Sequence, residues 1–241
     1  MKHIVLGYDG SAFSMQALDW ALDEAELRGL SLTVAHAWQW PYGEAPEEAR
    51  SHLRKAAEHV LWHGADCARH TSSGLTVETD LHEGPAAERL LELSHEAALV
   101  VVGSRGLSAL PRAVVGSVAG YVATHAHCPV IVVRGPGPLP AASQPGPVVV
   151  ADRDPDGVVL DFAFEEAALR RLPLAAPAEL SADLSADLSG RAARHPGVPV
   201  QQAADFGTAT LVVVGRRRAA PAGVAASLLQ HAPCPVAVVG G

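Results

Sequence analysis

Four residues within LVVVGSRGLSALPRAVVGS, positions 99–117, have the types and spacing to hold an anion: Gly103, Gly106, Gly116 and Ser117. A backbone approaches phosphate oxygens closely only where no Cβ intervenes, and the first amides of a helix add aligned donors and a favourable dipole. Gly103 is followed by two residues, Gly106, nine residues and then Gly116-Ser117, with a helix-compatible run from Val118 onward. Ser117 places a hydroxyl at that helix start, suited either to capping or to a phosphate oxygen or its metal. Asp9, in the turn Gly7-Tyr8-Asp9-Gly10-Ser11, supplies a carboxylate just past an earlier apolar run. An Asx turn or helix cap is the alternative to ligand contact for Asp9.

The elements that must position these residues alternate along the chain. Residues 3–6 form an apolar strand, and Ala17, Leu18, Ala21, Leu22, Ala25 and Leu27 give the following helix a mostly 3.6-residue stripe that Gly29 closes. A second strand at 31–37, an irregular aromatic and proline-rich connection at 38–46 and a long amphipathic helix from 47 to about 70 come next. Residues 75–81 make a third strand, and the Gly84-Pro85 turn starts a short helix through Leu90, Leu91 and Leu93. The run 99–102 is apolar throughout, as suits a strand covered on both faces. A helix at 118–125 and a fifth strand at 129–133 complete the unit. This alternation predicts an α/β fold, a doubly wound parallel sheet with right-handed crossovers and helices on both faces.

The unit is written twice. Residues 148–152 (VVVAD) echo 5–9, 161–167 (DFAFEEA) echo 19–25, 197–200 echo 74–77, LVVVG at 211–215 repeats 99–103, and 231–236 (HAPCPV) repeats 125–130. Matches in one order mark a tandem duplication. The expected organisation is a first domain over 1–134, a Pro/Gly linker over 135–147 and a degenerate second domain over 148–241. Gly103 and Cys128 lie 25 positions apart, whereas Gly215 and Cys234 lie 19 apart; Arg218 stands where the second glycine would be, and nothing matches Gly116-Ser117. The shorter span between strands three and four leaves little room for a helix there. The polar segment SADLSADLSGRAARHPG, 181–197, reads as loosely ordered.

Both copies resemble the universal stress protein family: the G-x-x-G-x9-G-S loop, the Leu-Val-Val-Val strand before it and the His-Ala-x-Cys-Pro-Val strand after it carry the resemblance, joined by the Asp9 and Gly84-Pro85-Ala86 turns. The resemblance implies a Rossmann-like, adenine nucleotide alpha hydrolase-like sheet of strand order 3-2-1-4-5, complete in the first copy and truncated in the second. It also implies ATP, with or without Mg2+, between strands one and four, which is where an open α/β sheet binds its ligand at the switch point. On that basis Gly7, Asp9 and Ala37 hold the adenine and Gly103 lies near the ribose. Gly106, Gly116, Ser117 and the Val118 amide meet the phosphates, with Ser104 and Arg105 lining the loop. Only Asp152 and Gly215 persist in the second copy, so no nucleotide is expected there. The resemblance further implies pairing through the fifth strand, as an intramolecular pseudo-dimer between 130–133 and 236–239 or as a homodimer, which protects sheet edges.

Composition narrows the function. The net charge of −8, with 18 basic against 26 acidic residues and no long basic run, argues against nucleic acid and anionic membranes as partners. Residues 1–6 lead directly into a strand without a leader pattern, and three widely spaced cysteines suit reduced thiols, so a cytoplasmic location is expected. No Cys-x-x-Cys, His-Glu-x-x-His, Walker loop, Ser-Gly-Gly-x-Asp-Ser loop or Gly-x-Ser-x-Gly elbow is present, and no metal site or catalytic residue is assigned. The His125/His127/Cys128 run reads as structural. Arg216, Arg217 and Arg218 fit capping of a sheet edge or contact with a neighbouring domain better than phosphate, and Trp38 and Trp40 are placed to wall an adenine pocket. The expected function is an ATP-binding regulatory or stress-response protein. The alternatives are a slow ATPase, with Arg105 and Arg112 as the basic residues near the glycines, and a nucleotide-free interaction or dimerisation module.

Overall fold

A computed structural model describes residues 2–40, 43, 46–107, 115–134, 145–152, 155–177, 182–202, 206–216 and 224–240. The expected linker residues 135–144, together with Arg112, Arg217 and Arg218, lie outside them. The chain divides into two compact units, Met1–Val133 and Arg134–Gly241, taken separately below.

In the first unit β1 (Ile4–Gly7) runs into α1 (Ala12–Arg28). Ser11 caps that helix by accepting the Ser14 amide at 3.2 Å, and Gly29 ends it in the left-handed region at φ 63°. Then follow β2 (Leu32–Trp38), α2 (Glu47–Thr71), β3 (Val77–Glu83), α3 (Ala86–Leu93), β4 (Leu99–Gly103), α4 (Ser117–His125) and β5 (Val130–Val133). All strand pairs are parallel and the order is β3-β2-β1-β4-β5, with Ile4 in register with both Leu32 and Leu99. Strands β1, β4 and β5 bury their apolar residues on both faces, which is why their sequences do not alternate. Strand β3 starts two residues later than the sequence suggests, because the Leu75 amide is used in a turn after α2, donating to the Ser72 carbonyl at 3.1 Å. One charged group sits in the core: Glu24, fully buried, accepts from Trp20 Nε1 at 3.1 Å and Arg28 Nε at 2.9 Å, so its charge is both paired and hydrogen-bonded.

The second unit contains β6 (Val148–Val150), α5 (Gly157–Arg170), β7 (Leu174–Ala176), α6 (Ala182–Arg194), β8 (Val200–Gln202), β9 (Leu211–Gly215), α7 (Val224–His231) and β10 (Val236–Val239). Its parallel strands run in the order β10-β9-β6-β7-β8, the same neighbour relations as in the first unit. The buried ion pair recurs as Glu166 with Arg170 Nε at 3.0 Å. Among the described residues no helix stands between β8 and β9, as the shortened spacing requires. The segment expected to be loosely ordered is instead helical: Leu188 is buried, and Arg191, also buried, pairs with Asp161 on α5 and with Asp187 at 3.2 Å. Two anchoring side chains suffice to hold a helix whose polar composition hides its inward face.

Candidate functional site

Strands β1 and β4 are neighbours whose chain continues to opposite sides, to β2 from β1 and to β5 from β4, so a crevice forms past their C-terminal ends. It is a cleft of about 200 Å³, and nine of the ten residues expected there line it: Gly7, Asp9, Ala37, Gly103, Arg105, Gly106, Gly116, Ser117 and Val118. Ser104 does not. It is buried, its amide donates to the Val133 carbonyl at 2.9 Å and its carbonyl accepts the Gly116 amide at 2.8 Å. Its backbone therefore fastens the two ends of the glycine loop to each other and to β5.

Each glycine serves a different contact. A Cβ on Gly103 would lie 2.7 Å from the Phe13 backbone carbon and oxygen, so glycine here lets the start of α1 pack against β4. A Cβ on Gly106 would lie 2.6 Å from Asp9 Oδ2. That oxygen accepts the Leu107 amide at 3.2 Å, while Oδ1 accepts the Ser11 amide at 3.0 Å. Asp9 thus makes the local turn and also clamps the loop after β4 to the turn after β1. Arg105 lays its guanidinium over the Phe13 ring, 4.1 Å from the centroid, which fixes a positive charge in the cleft wall.

Gly116 differs from the others. It is the N-cap of α4 at φ −60°, and a Cβ there would meet only ordinary neighbours, Arg105 Cα at 3.5 Å, the Ser104 carbonyl oxygen at 3.6 Å and the Gly106 nitrogen at 3.9 Å. Ser117 is the first helical residue rather than the cap, and no side chain caps α4. The first turn closes with the Gly120 amide on the Gly116 carbonyl at 2.9 Å, so the amides of Ser117, Val118 and Ala119 have no acceptor among the described residues. These three residues line the cleft.

The apolar side chains of Ala35, Ala37, Ala86 and Leu90 also line the cleft. Two polar side chains that sequence reasoning missed stand among them. His36 Nδ1 lies 2.7 Å from the Tyr8 carbonyl oxygen. Arg89 donates to Asp80 at 2.6 and 3.0 Å and to Glu92 at 2.8 Å, hydrogen bonds that raise its pKa further. Tyr8, buried against Gly64 of α2, brings its hydroxyl within 2.8 Å of His63 Nδ1 and donates to Met15 Sδ at 3.0 Å. Burial first, then the charges of Cys67 and Asp9, raise its pKa and keep the phenol neutral. The Gly84-Pro85 turn signalled a helix here, but its stripe gave no sign which residues face the cleft. Trp38 is buried in β2, and the cleft lining includes neither Trp38 nor Trp40.

At the corresponding place in the second unit the groups are consumed by the fold. Asp152 is buried and its Oδ2 accepts the Gly215 amide at 2.5 Å. Arg216 donates through its amide to the Val239 carbonyl at 2.6 Å and through its guanidinium to Gly240 at 2.9 Å and Val238 at 3.4 Å, capping the end of β10. Among the described residues no cluster of metal-ligating side chains and no helix long and apolar enough to cross a membrane is present.

Comparison with known proteins agrees with this architecture. A sequence model described as the universal stress protein family matches residues 1–134. Universal stress protein Rv2624c of Mycobacterium tuberculosis is 34% identical over 177 residues, covering 73% of this chain and 64% of the relative. Universal stress protein Rv3134c of the same organism is 36% identical over 177 residues, covering 73% and 65%. The chain therefore spans just under two thirds of the length of these curated relatives. A universal stress protein from Archaeoglobus fulgidus shares the fold, with a TM-score of 0.76 at 18% identity over 98% of this chain and 95% of that one. With the family model matching more than half of its length, the chain belongs to the universal stress protein family.

Proposed function

We propose that the first unit binds an adenine nucleotide, ATP, in this cleft, and that the protein acts as a nucleotide-dependent regulatory or stress-response protein. Gly116 carries the reading. The fold leaves room for a Cβ there and its φ suits any residue, so what glycine uniquely provides is bare backbone beside the three unused amides of α4. Those are the conditions under which phosphate oxygens are bound. The phosphates lie at Gly106, Gly116, Ser117 and the Val118 amide, the ribose near Gly103, and the base toward Gly7, Asp9 and Ala37. Mg2+ arrives on the phosphates, where the Ser117 hydroxyl is a suitable contact. The second unit, with Asp152 and Arg216 committed to its own backbone, takes no nucleotide. The three cysteines, none of them in a disulfide, fit a reducing, cytoplasmic setting.

Calorimetric titration of the full chain with MgATP tests this: one nucleotide per chain is expected, and ATP released on denaturing the purified protein supports it. No heat of binding together with no released nucleotide refutes it. A regulatory role predicts phosphate release far slower than nucleotide exchange; rapid release that is lost in Ser117→Ala supports the hydrolytic alternative instead.

A further inference from the structure

We propose that Cys67 is a reactive thiol at which a small disulfide attaches by thiol–disulfide exchange, with His63 as its base. Both residues lie on α2, four positions apart and so on one face. Cys67 Sγ is 3.9 Å from His63 Nε2, and His63 Nδ1 is 2.8 Å from the Tyr8 hydroxyl, which donates to Met15 Sδ at 3.0 Å. A thiol, an imidazole and a third group that orients the imidazole make up the arrangement of an activated nucleophile. Met15 decides where the hydrogens go. With the phenol hydrogen on Met15 Sδ, the Tyr8 oxygen can accept from Nδ1–H, which turns the lone pair of Nε2 toward the thiol. When the thiol proton moves to Nε2, both N–H groups of the imidazolium keep an acceptor, the thiolate on one side and the phenol oxygen on the other. Gly64 admits the phenol to this position: a Cβ there would lie 2.7 Å from the Tyr8 ring. Glycine inside a helix weakens it, so the close approach comes at a cost to α2.

Access distinguishes Cys67 from the other cysteines. It is partly exposed, between the exposed Asp66 and Arg69, whereas Cys128 and Cys234 are buried. An open helix face admits a bulky disulfide, and with the other thiols buried the product is a mixed disulfide rather than a bridge within the chain. In the reaction the Cys67 thiolate bonds to one sulfur of the small disulfide, the S–S bond of that disulfide breaks, and the departing thiolate takes the proton held on His63. Cys67 is oxidised, the departing sulfur is reduced, and one small thiol leaves.

The test is timed reaction of the full chain with oxidised glutathione near pH 7, followed by intact mass and peptide mapping. One glutathione per chain is expected, on Cys67, attached at least about tenfold faster than to the thiols of the urea-unfolded chain. His63→Gln should remove most of that advantage, and Tyr8→Phe, which keeps the ring and removes the acceptor for Nδ1–H, should cost about threefold or more. An aromatic disulfide, dithiobis(nitrobenzoic acid), releases a thiolate that needs no proton, so His63→Gln should slow it less than it slows oxidised glutathione; a change in access alone would slow both equally. Reaction of Cys67 no faster than in the unfolded chain, an unchanged rate in His63→Gln, equal slowing of the two reagents, or attachment mainly at Cys128 or Cys234 overturns the assignment. If His63→Gln does not fold, the folded and unfolded rates of the unaltered chain decide.

Discussion

Replacing Gly106 by alanine would set a carbon 2.6 Å from Asp9 Oδ2, where ordinary contact begins near 3.4 Å. The carboxylate must turn away, and the Leu107 amide loses its acceptor at 3.2 Å. A hydrogen bond to a charged group contributes about 1.5–3 kcal/mol, but Leu107 is 76% exposed and water replaces part of the loss, so about 1 kcal/mol of stability is expected to go. The larger effect is on the ligand. An unclamped loop must be ordered again on binding, and 1.4 kcal/mol corresponds to tenfold in affinity, so ATP should bind about tenfold more weakly. Gly106→Arg, which fills the loop, should abolish binding. Asp9→Asn is the matched probe: Oδ1 can still accept the Ser11 amide, but the amide nitrogen in place of Oδ2 cannot accept from Leu107. Thermal unfolding and calorimetry on both single variants and the double variant should show a double loss no greater than the worse single, because both break one clamp. Additive losses, or a Gly106→Ala protein with unchanged ATP affinity, would refute the clamp.

Three other outcomes follow from the geometry. Gly103→Ala forces a methyl group to 2.7 Å from the Phe13 backbone and should destabilise the first unit by about 1–3 kcal/mol in urea unfolding; an unchanged midpoint contradicts this packing. Arg171 ends α5 at φ 55°, where Gly29 ends α1, so Arg171→Gly should stabilise the second unit by about 0.5–1 kcal/mol, and a loss of stability argues against the strained cap. Burial pushes the Cys234 thiol up to about 11 from 9.0, partly opposed by Arg134, so timed alkylation at pH 8 should be about a hundredfold slower than in the urea-unfolded chain, with equal rates contradicting the burial. Because the folded pKa is the higher one, this thiol's contribution to stability is complete below pH 9 and is lost as the pH rises through about 11.

The strands were legible because buried parallel strands are written as uninterrupted apolar runs, 99–102 and 211–214 above all. Alternation of strand and helix gave the layered class, while the order 3-2-1-4-5 came through resemblance, since no pattern within a strand says which neighbour it will have. The glycine spacing located the cleft but not the purpose of each glycine: Gly106 is cleared for a carboxylate nearly a hundred positions away, and only the folded chain shows that a Cβ on Gly116 would make no more than ordinary contacts. Ser104 was grouped with Arg105 as loop lining, yet its backbone pairs with Val133 and Gly116 and draws it inward. His36 and Arg89 escaped notice because each looks like an ordinary polar residue on its element; what sets them apart is a carbonyl from β1's turn and a carboxylate from β3. Helix α6 escaped because its hold on the unit is Leu188 and Arg191 rather than a stripe.

Gly116→Ala tests the central claim most directly, because it separates what the fold requires from what a phosphate requires. Its φ of −60° and the clear 3.5 Å to the nearest neighbour predict a stability within about 1 kcal/mol of the unaltered chain. Titrated with MgATP, the same protein should lose at least about tenfold in affinity, since the methyl group stands where phosphate oxygens approach the backbone. A stable Gly116→Ala chain that binds MgATP as tightly as the unaltered one would contradict the placement of phosphate at the start of α4.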